Sequence, residues 1–173
     1  MSEPEVWLRG PIERVPAVLQ PVAHGLLQCQ LEVAAAVPGH STSQLWLGPA
    51  GIASVGFHLR HAAGSLDRLF TYARGEALSA AQLHALANER LVEPDAGAGR
   101  ALQAAFDVTV ERAIAQLRAT SADRVLEPRA VGRAQLPSTV LGLLFHAAEH
   151  TQRHIGQLVT TAKLVRGTSE GAA

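Results

Sequence analysis

The chain has 173 residues, about one domain's worth, with 15 basic and 15 acidic side chains and so no formal net charge. Only 17% of its residues are charged and 47% are hydrophobic, which excludes intrinsic disorder. No basic excess and 4% aromatic content argue against nucleic-acid binding, which draws on cations for phosphate and rings for stacking.

The single cysteine, Cys29, rules out an internal disulfide. The opening MSEPEVWLRGP is neither a basic nor an apolar leader, and no run of about 18 apolar residues follows. A cytoplasmic chain without a membrane span is the expectation. The unusual count is eight histidines.

Residues up to about Pro11 read as an irregular lead-in. From Pro16 or Pro21 to Val37, Val18, Val22, Leu26, Leu27, Leu31 and Val33 recur at three- and four-residue spacing, which predicts a first helix ended by Pro38-Gly39. A loop through His40 to Gly48 precedes a second helix over about Pro49–Ala73, with Ile52, Val55, Leu59, Ala62, Leu66 and Leu69 as its apolar stripe. Ser79, with Gln82 three residues on, is a capping-box signature for a short helix to about Leu91, ended by Glu93, Pro94, Asp95 and Gly97. The next long helix, about Gly99–Thr120, carries Leu102, Phe106, Val110, Ile114 and Leu117. Residues 121–137 read as a connection, and Ser138 as the cap of a last helix to about Arg166, with a fraying tail beyond. No convincing strand pattern is evident. The expectation is a single all-α domain, a four-helix bundle with a short helix between the second and third long ones. Gly56, Gly64 and Gly142 each cost up to ~1 kcal/mol of helix propensity relative to alanine, which points to close packing there.

The histidines carry the chemistry. In LLFHAAEHTQRHIGQL, His146, His150 and His154 are four residues apart. Each such step turns about 40° and climbs ~6 Å, so adjacent members can aim their imidazoles at one point. His146 and His154, about 80° apart, converge less easily. A further ligand must come from another helix, and the second helix offers His58 and His61 in GFHLRHAAGSLDRL. That needs the second and last long helices to be neighbours. One imidazole beside an apolar face is usually a hydrogen-bonded boundary residue, but five on two helices would leave many buried polar atoms to satisfy without an ion.

Other sites are absent. No Glu-x-x-His pairs mark a di-iron bundle, position 147 is alanine where a zincin has glutamate, and there is neither a phosphate loop nor a nucleophile elbow. Cys29, on an apolar helix, reads as a small core residue. His24 either faces the site or packs below Pro21. His40 and His84 read as surface residues, and Glu149 with Arg153 as an exposed ion pair.

The stretches SVGFHLRHAA and HAAEHTQRHIGQ resemble the DinB/YfiT-like superfamily over about residues 15–166, the closing H-x-x-x-H-x-G-Q being the most specific part. The resemblance implies a four-helix bundle, often a homodimer, holding a divalent metal such as zinc or nickel. By position it implies His61, His150 and His154 as ligands, with His58 and His146 beside them as general-base candidates or hydrogen-bond partners. It further implies a small-molecule substrate and a low-molecular-weight thiol as cosubstrate, in the manner of the family's thiol-dependent S-transferases. A metal-dependent hydrolase and a non-enzymatic, dimeric metal-binding protein are the alternatives.

Overall fold

The computed structural model describes residues 3–170 except Pro94 and Ala96. Four long helices make the frame: α1 (Gln20–Ala36), α3 (Val55–Ala73), α5 (Ala98–Ala119) and α6 (Val140–Glu170). Around the bundle α1 packs on α6, α6 on α3, α3 on α5, and α5 back on α1, with the α3–α6 seam the most extensive. The second and last long helices are therefore neighbours, as a shared histidine site requires. Two short helices, α2 (Thr42–Trp46) and α4 (Ala80–Ala87), lie in the connections.

The core follows the helical period. Leu102, Phe106, Val110, Ile114 and Leu117 of α5 are all buried, as are Val55, Leu59, Ala62 and Leu66 of α3. On α1 the buried stripe is Val22, Ala23, Leu26, Cys29, Val33 and Ala36, continued by Leu19 in the turn just before it. Leu31, expected in that stripe, is exposed because it stands off this arc, and Val18 is exposed in the 3-10 turn Ala17–Leu19 that precedes α1. Cys29 is a core residue, and burial, with the Glu32 charge adding, pushes its thiol up to about 12.

Several boundaries differ from the sequence expectation. The second long helix starts at Val55, not Pro49: residues Pro49–Gly51 form a 3-10 turn with Ala50 and Gly51 in the left-handed region. Ser54 then caps α3, its hydroxyl accepting the Phe57 N–H at 3.2 Å, and Ile52 is left exposed outside the helix. The loop after His40 contains α2, opened by a capping box of Ser41 and Gln44. The Ser79–Gln82 box is present on α4, but α4 stops at Ala87 rather than Leu91. Of the expected stop residues after α4, Pro94 lies outside the described residues.

The connection 121–137 holds an antiparallel hairpin of β1 (Pro128–Val131) and β2 (Leu136–Thr139), in the register Pro128 opposite Thr139 and Val131 opposite Leu136. With four residues per strand and a proline in each, it carries too little alternation to be read from sequence. Ser138 belongs to β2. The capping oxygen of α6 is instead Thr139 Oγ1, which accepts the Gly142 N–H at 3.0 Å. α6 continues to Glu170, past Arg166, and residues 171–173 of the expected tail lie outside the described residues.

Candidate metal centre

The α3–α6 seam turns one face of each helix toward the other, and the histidines sit where these faces meet. One ligand atom from each of His61, His150 and His154 lies within 4.8 Å of the others. The Nε2 atoms of His61 and His150 are 3.0 Å apart. Two nitrogens each ~2.0–2.1 Å from one ion stand about 2.9 Å apart at a right angle and about 3.4 Å at the tetrahedral angle. The His61–His154 and His150–His154 ring centroids are 4.3 and 4.6 Å apart, all three rings being partly buried.

Charge state matters as much as placement, because only a neutral imidazole offers a lone pair. Burial lowers the pKa of His150, and the His61 and His146 rings lower it further. Burial followed by the His61 and His150 rings brings His154 down to about 4. Three imidazole nitrogens this close together suit a borderline divalent ion, and fewer than four protein ligands leave room for another molecule. The residues fit a metal.

His58 is 5% exposed and joins the cluster: its Nδ1 is 3.0 Å from His154 Nδ1, and burial, then the His61 ring, lower its pKa. His146 stays on the exposed flank of α6, its ring 5.5 Å from His150 and its Nδ1 3.5 Å from Glu149. A cavity of about 600 Å³ opens beside His58, lined also by Ile52, Ala53, Arg153, Gly156, Gln157, Thr160 and Thr161.

The remaining histidines lie elsewhere. His24 Nε2 is 3.0 Å from the Gly10 carbonyl and ties the lead-in to α1. His84 is exposed, as expected. His40, expected at the surface, is half-buried between the Val37 carbonyl at 2.9 Å and the Ala162 carbonyl at 3.3 Å, because α6 runs back past the end of α1. Glu149 and Arg153 pair as their spacing predicted.

Sequence reasoning missed two charged residues next to the cluster. Glu89, just past α4, accepts the His61 Nδ1–H at 2.7 Å and takes Arg68 on its other oxygen, also at 2.7 Å. Burial alone would raise the Glu89 carboxyl, but the bonds from His61 and Arg68 outweigh it and hold the pKa below the usual range. Arg68 is seven residues after His61 on α3, two turns along one face, a signal that was available. Glu89 has no local spacing to its partners and is found only in the folded chain.

The DinB superfamily profile matches residues 11–158. A solved structure of a conserved protein from Enterococcus faecalis superposes with a TM-score of 0.69 at 19% identity, covering 87% of this chain and 98% of that one, which shows a shared fold. No curated protein matches. Among the described residues, no helix is long and apolar enough to cross a membrane. With a helical bundle, a three-histidine cluster across its α3–α6 seam and a family match over most of its length, this chain belongs to the DinB superfamily.

Proposed function

We propose that the chain is a divalent-metal-dependent enzyme that activates a small thiol for attack on an electrophilic substrate. The observation that carries the reading is the convergence of His61, His150 and His154 beside a cavity that also holds His58. When bound, a divalent ion such as Zn²⁺ or Ni²⁺ supplies Lewis acidity that makes a thiol or a water easier to ionise.

The chain's own residues do the rest. The three ligands carry no charge, so they leave the ion's positive charge undiminished for an incoming nucleophile. His58, buried and with a lowered pKa, is neutral near pH 7 and borders both the cluster and the cavity; it is the group we assign to receive the thiol proton. A volume of about 600 Å³ is that of a small-molecule site. Ile52, Ala53 and Gly156 supply its apolar wall, while Gln157 and Arg153 supply polar contacts.

The test is elemental analysis of untagged protein beside the His61→Ala, His150→Ala and His154→Ala variants, followed by thiol-conjugation assays with electrophilic substrates. The expected result is about one metal per wild-type chain, lost in each variant, and conjugation that requires both metal and thiol. Metal retained by the variants, or a wild-type chain that takes up neither Zn²⁺ nor Ni²⁺, overturns the assignment. Turnover of activated esters without thiol would make water the nucleophile and the chain a hydrolase.

A further inference from the structure

We propose that Glu89 is a positioning residue of the metal centre: clamped by Arg68, its carboxylate holds the His61 ring proton on Nδ1 and so keeps the Nε2 lone pair aimed at the ion. The inference rests on the metal reading above and adds to it a residue outside the histidine set.

Hydrogen-bonding capacity dictates the tautomer. A carboxylate only accepts, so the His61 Nδ1 that lies 2.7 Å from Glu89 Oε2 must carry the proton. A neutral imidazole has one ring proton, which leaves Nε2 as the acceptor atom. Nε2 is the nitrogen that faces His150 at 3.0 Å. Arg68 only donates, and its Nη2 lies 2.7 Å from Glu89 Oε1, so the carboxylate is pinned from both sides. Glu89 and Arg68 are 8% and 9% exposed, so the ion pair is nearly dry and the attraction of Arg68 for the carboxylate is little screened.

Two glycines of α3 make room for this arrangement. A Cβ on Gly64 would stand 2.8 Å from Arg68 Nη1 and 3.1 Å from Glu89 Oε1, inside the space the ion pair fills. A Cβ on Gly56 would stand 2.7 Å from the Trp46 ring. That ring lies under the Arg60 guanidinium at 4.9 Å and donates from Nε1 to the Glu93 carbonyl at 2.7 Å. Arg60 in turn bonds the carbonyls of Asn88 and Leu91 and pairs with Glu93 at 2.6 Å. Residues 88–93 are thus strapped to α3, and the strap delivers Glu89 to His61. Glycine's helix penalty at both positions has a packing reason.

The experiment uses the full chain as wild type, Glu89→Gln, and the double variant Arg68→Met with Glu89→Gln. Zn²⁺ affinity is read by competition with a chelating dye, and the His61 tautomer by long-range ¹⁵N–¹H NMR of the metal-free protein. In Glu89→Gln, Arg68 claims the one amide oxygen, the amide NH₂ faces His61 Nδ1, and the ring proton is driven to Nε2. The expected result is Nδ1–H in wild type, Nε2–H in Glu89→Gln, and a 10–100-fold loss of Zn²⁺ affinity with unchanged far-ultraviolet circular dichroism. In the double variant the amide is free to turn its oxygen to His61, and both the tautomer and most of the affinity return. A purely steric role for Glu89 would give no such rescue. A wild-type His61 protonated on Nε2, a Glu89→Gln affinity within twofold of wild type, or a double variant no better than the single one overturns the proposal. A wild-type chain that binds no Zn²⁺ instead overturns the metal reading, and the proposal falls with it.

Discussion

Replacing His150 by alanine tests the metal centre through folding stability, without any knowledge of the substrate. In the metal-free chain the change is mild, because the ring is only partly buried and its close polar neighbour is the His61 Nε2 at 3.0 Å. Zinc separates the two proteins. The His61–His150 nitrogen spacing lies within about 0.4 Å of that demanded by a shared ion, so binding needs little rearrangement. At free Zn²⁺ 100-fold above its dissociation constant, wild type gains about 2.7 kcal/mol. For a chain of this size that raises Tm by about 5–11 °C. A variant whose affinity falls 100-fold stands at its own dissociation constant under the same conditions. It gains only about 0.4 kcal/mol, or ~1–2 °C. The assay is a thermal melt of untagged protein with and without Zn²⁺ in a non-chelating buffer at pH 7.5. A full zinc shift surviving in His150→Ala would refute His150 as a ligand, and no shift in wild type would refute the site.

Three further outcomes are expected. The stability of the metal-free chain falls as pH drops from about 6.5 toward 4, because burial and then the neighbouring rings hold the folded His154 at about 4 while an unfolded histidine titrates near ~6.5. The unfolded chain then binds more protons across that window; a melt series should show a shallower decline in His154→Ala, and equal slopes would refute the reading. Phe106→Ala, at a fully buried position, should cost about 3–5 kcal/mol in urea titration, and a loss below about 1 kcal/mol would mean α5 is not seated as described. Arg60→Met should speed amide hydrogen exchange across residues 88–93 while leaving the α6 core protected, since Arg60 bonds three carbonyls of that segment; unchanged exchange there would show that Trp46 and Glu89 hold the strap alone.

The long helices and the histidine positions were legible in the sequence because both follow the 3.6-residue period, which is a local property. The buried stripe of α5, the four-residue spacing of His146, His150 and His154, and the close packing at Gly56 and Gly64 were all open to that reading. The DinB resemblance narrowed five histidines to His61, His150 and His154, which the folded chain brings together. Where prolines and short segments break the period, the sequence misled. The start of α3 at Val55, the α2 turn and the β1–β2 hairpin depend on Ser54, Ser41 and backbone pairing rather than on any apolar repeat. Only tertiary structure separated His58 from His146, because two rings on adjoining faces differ in burial through what packs over them. Only tertiary structure found Glu89. Its carboxylate reaches His61 across 28 residues of chain, through a strap held by Arg60 and Trp46, and contacts between distant residues leave no period for a sequence to display.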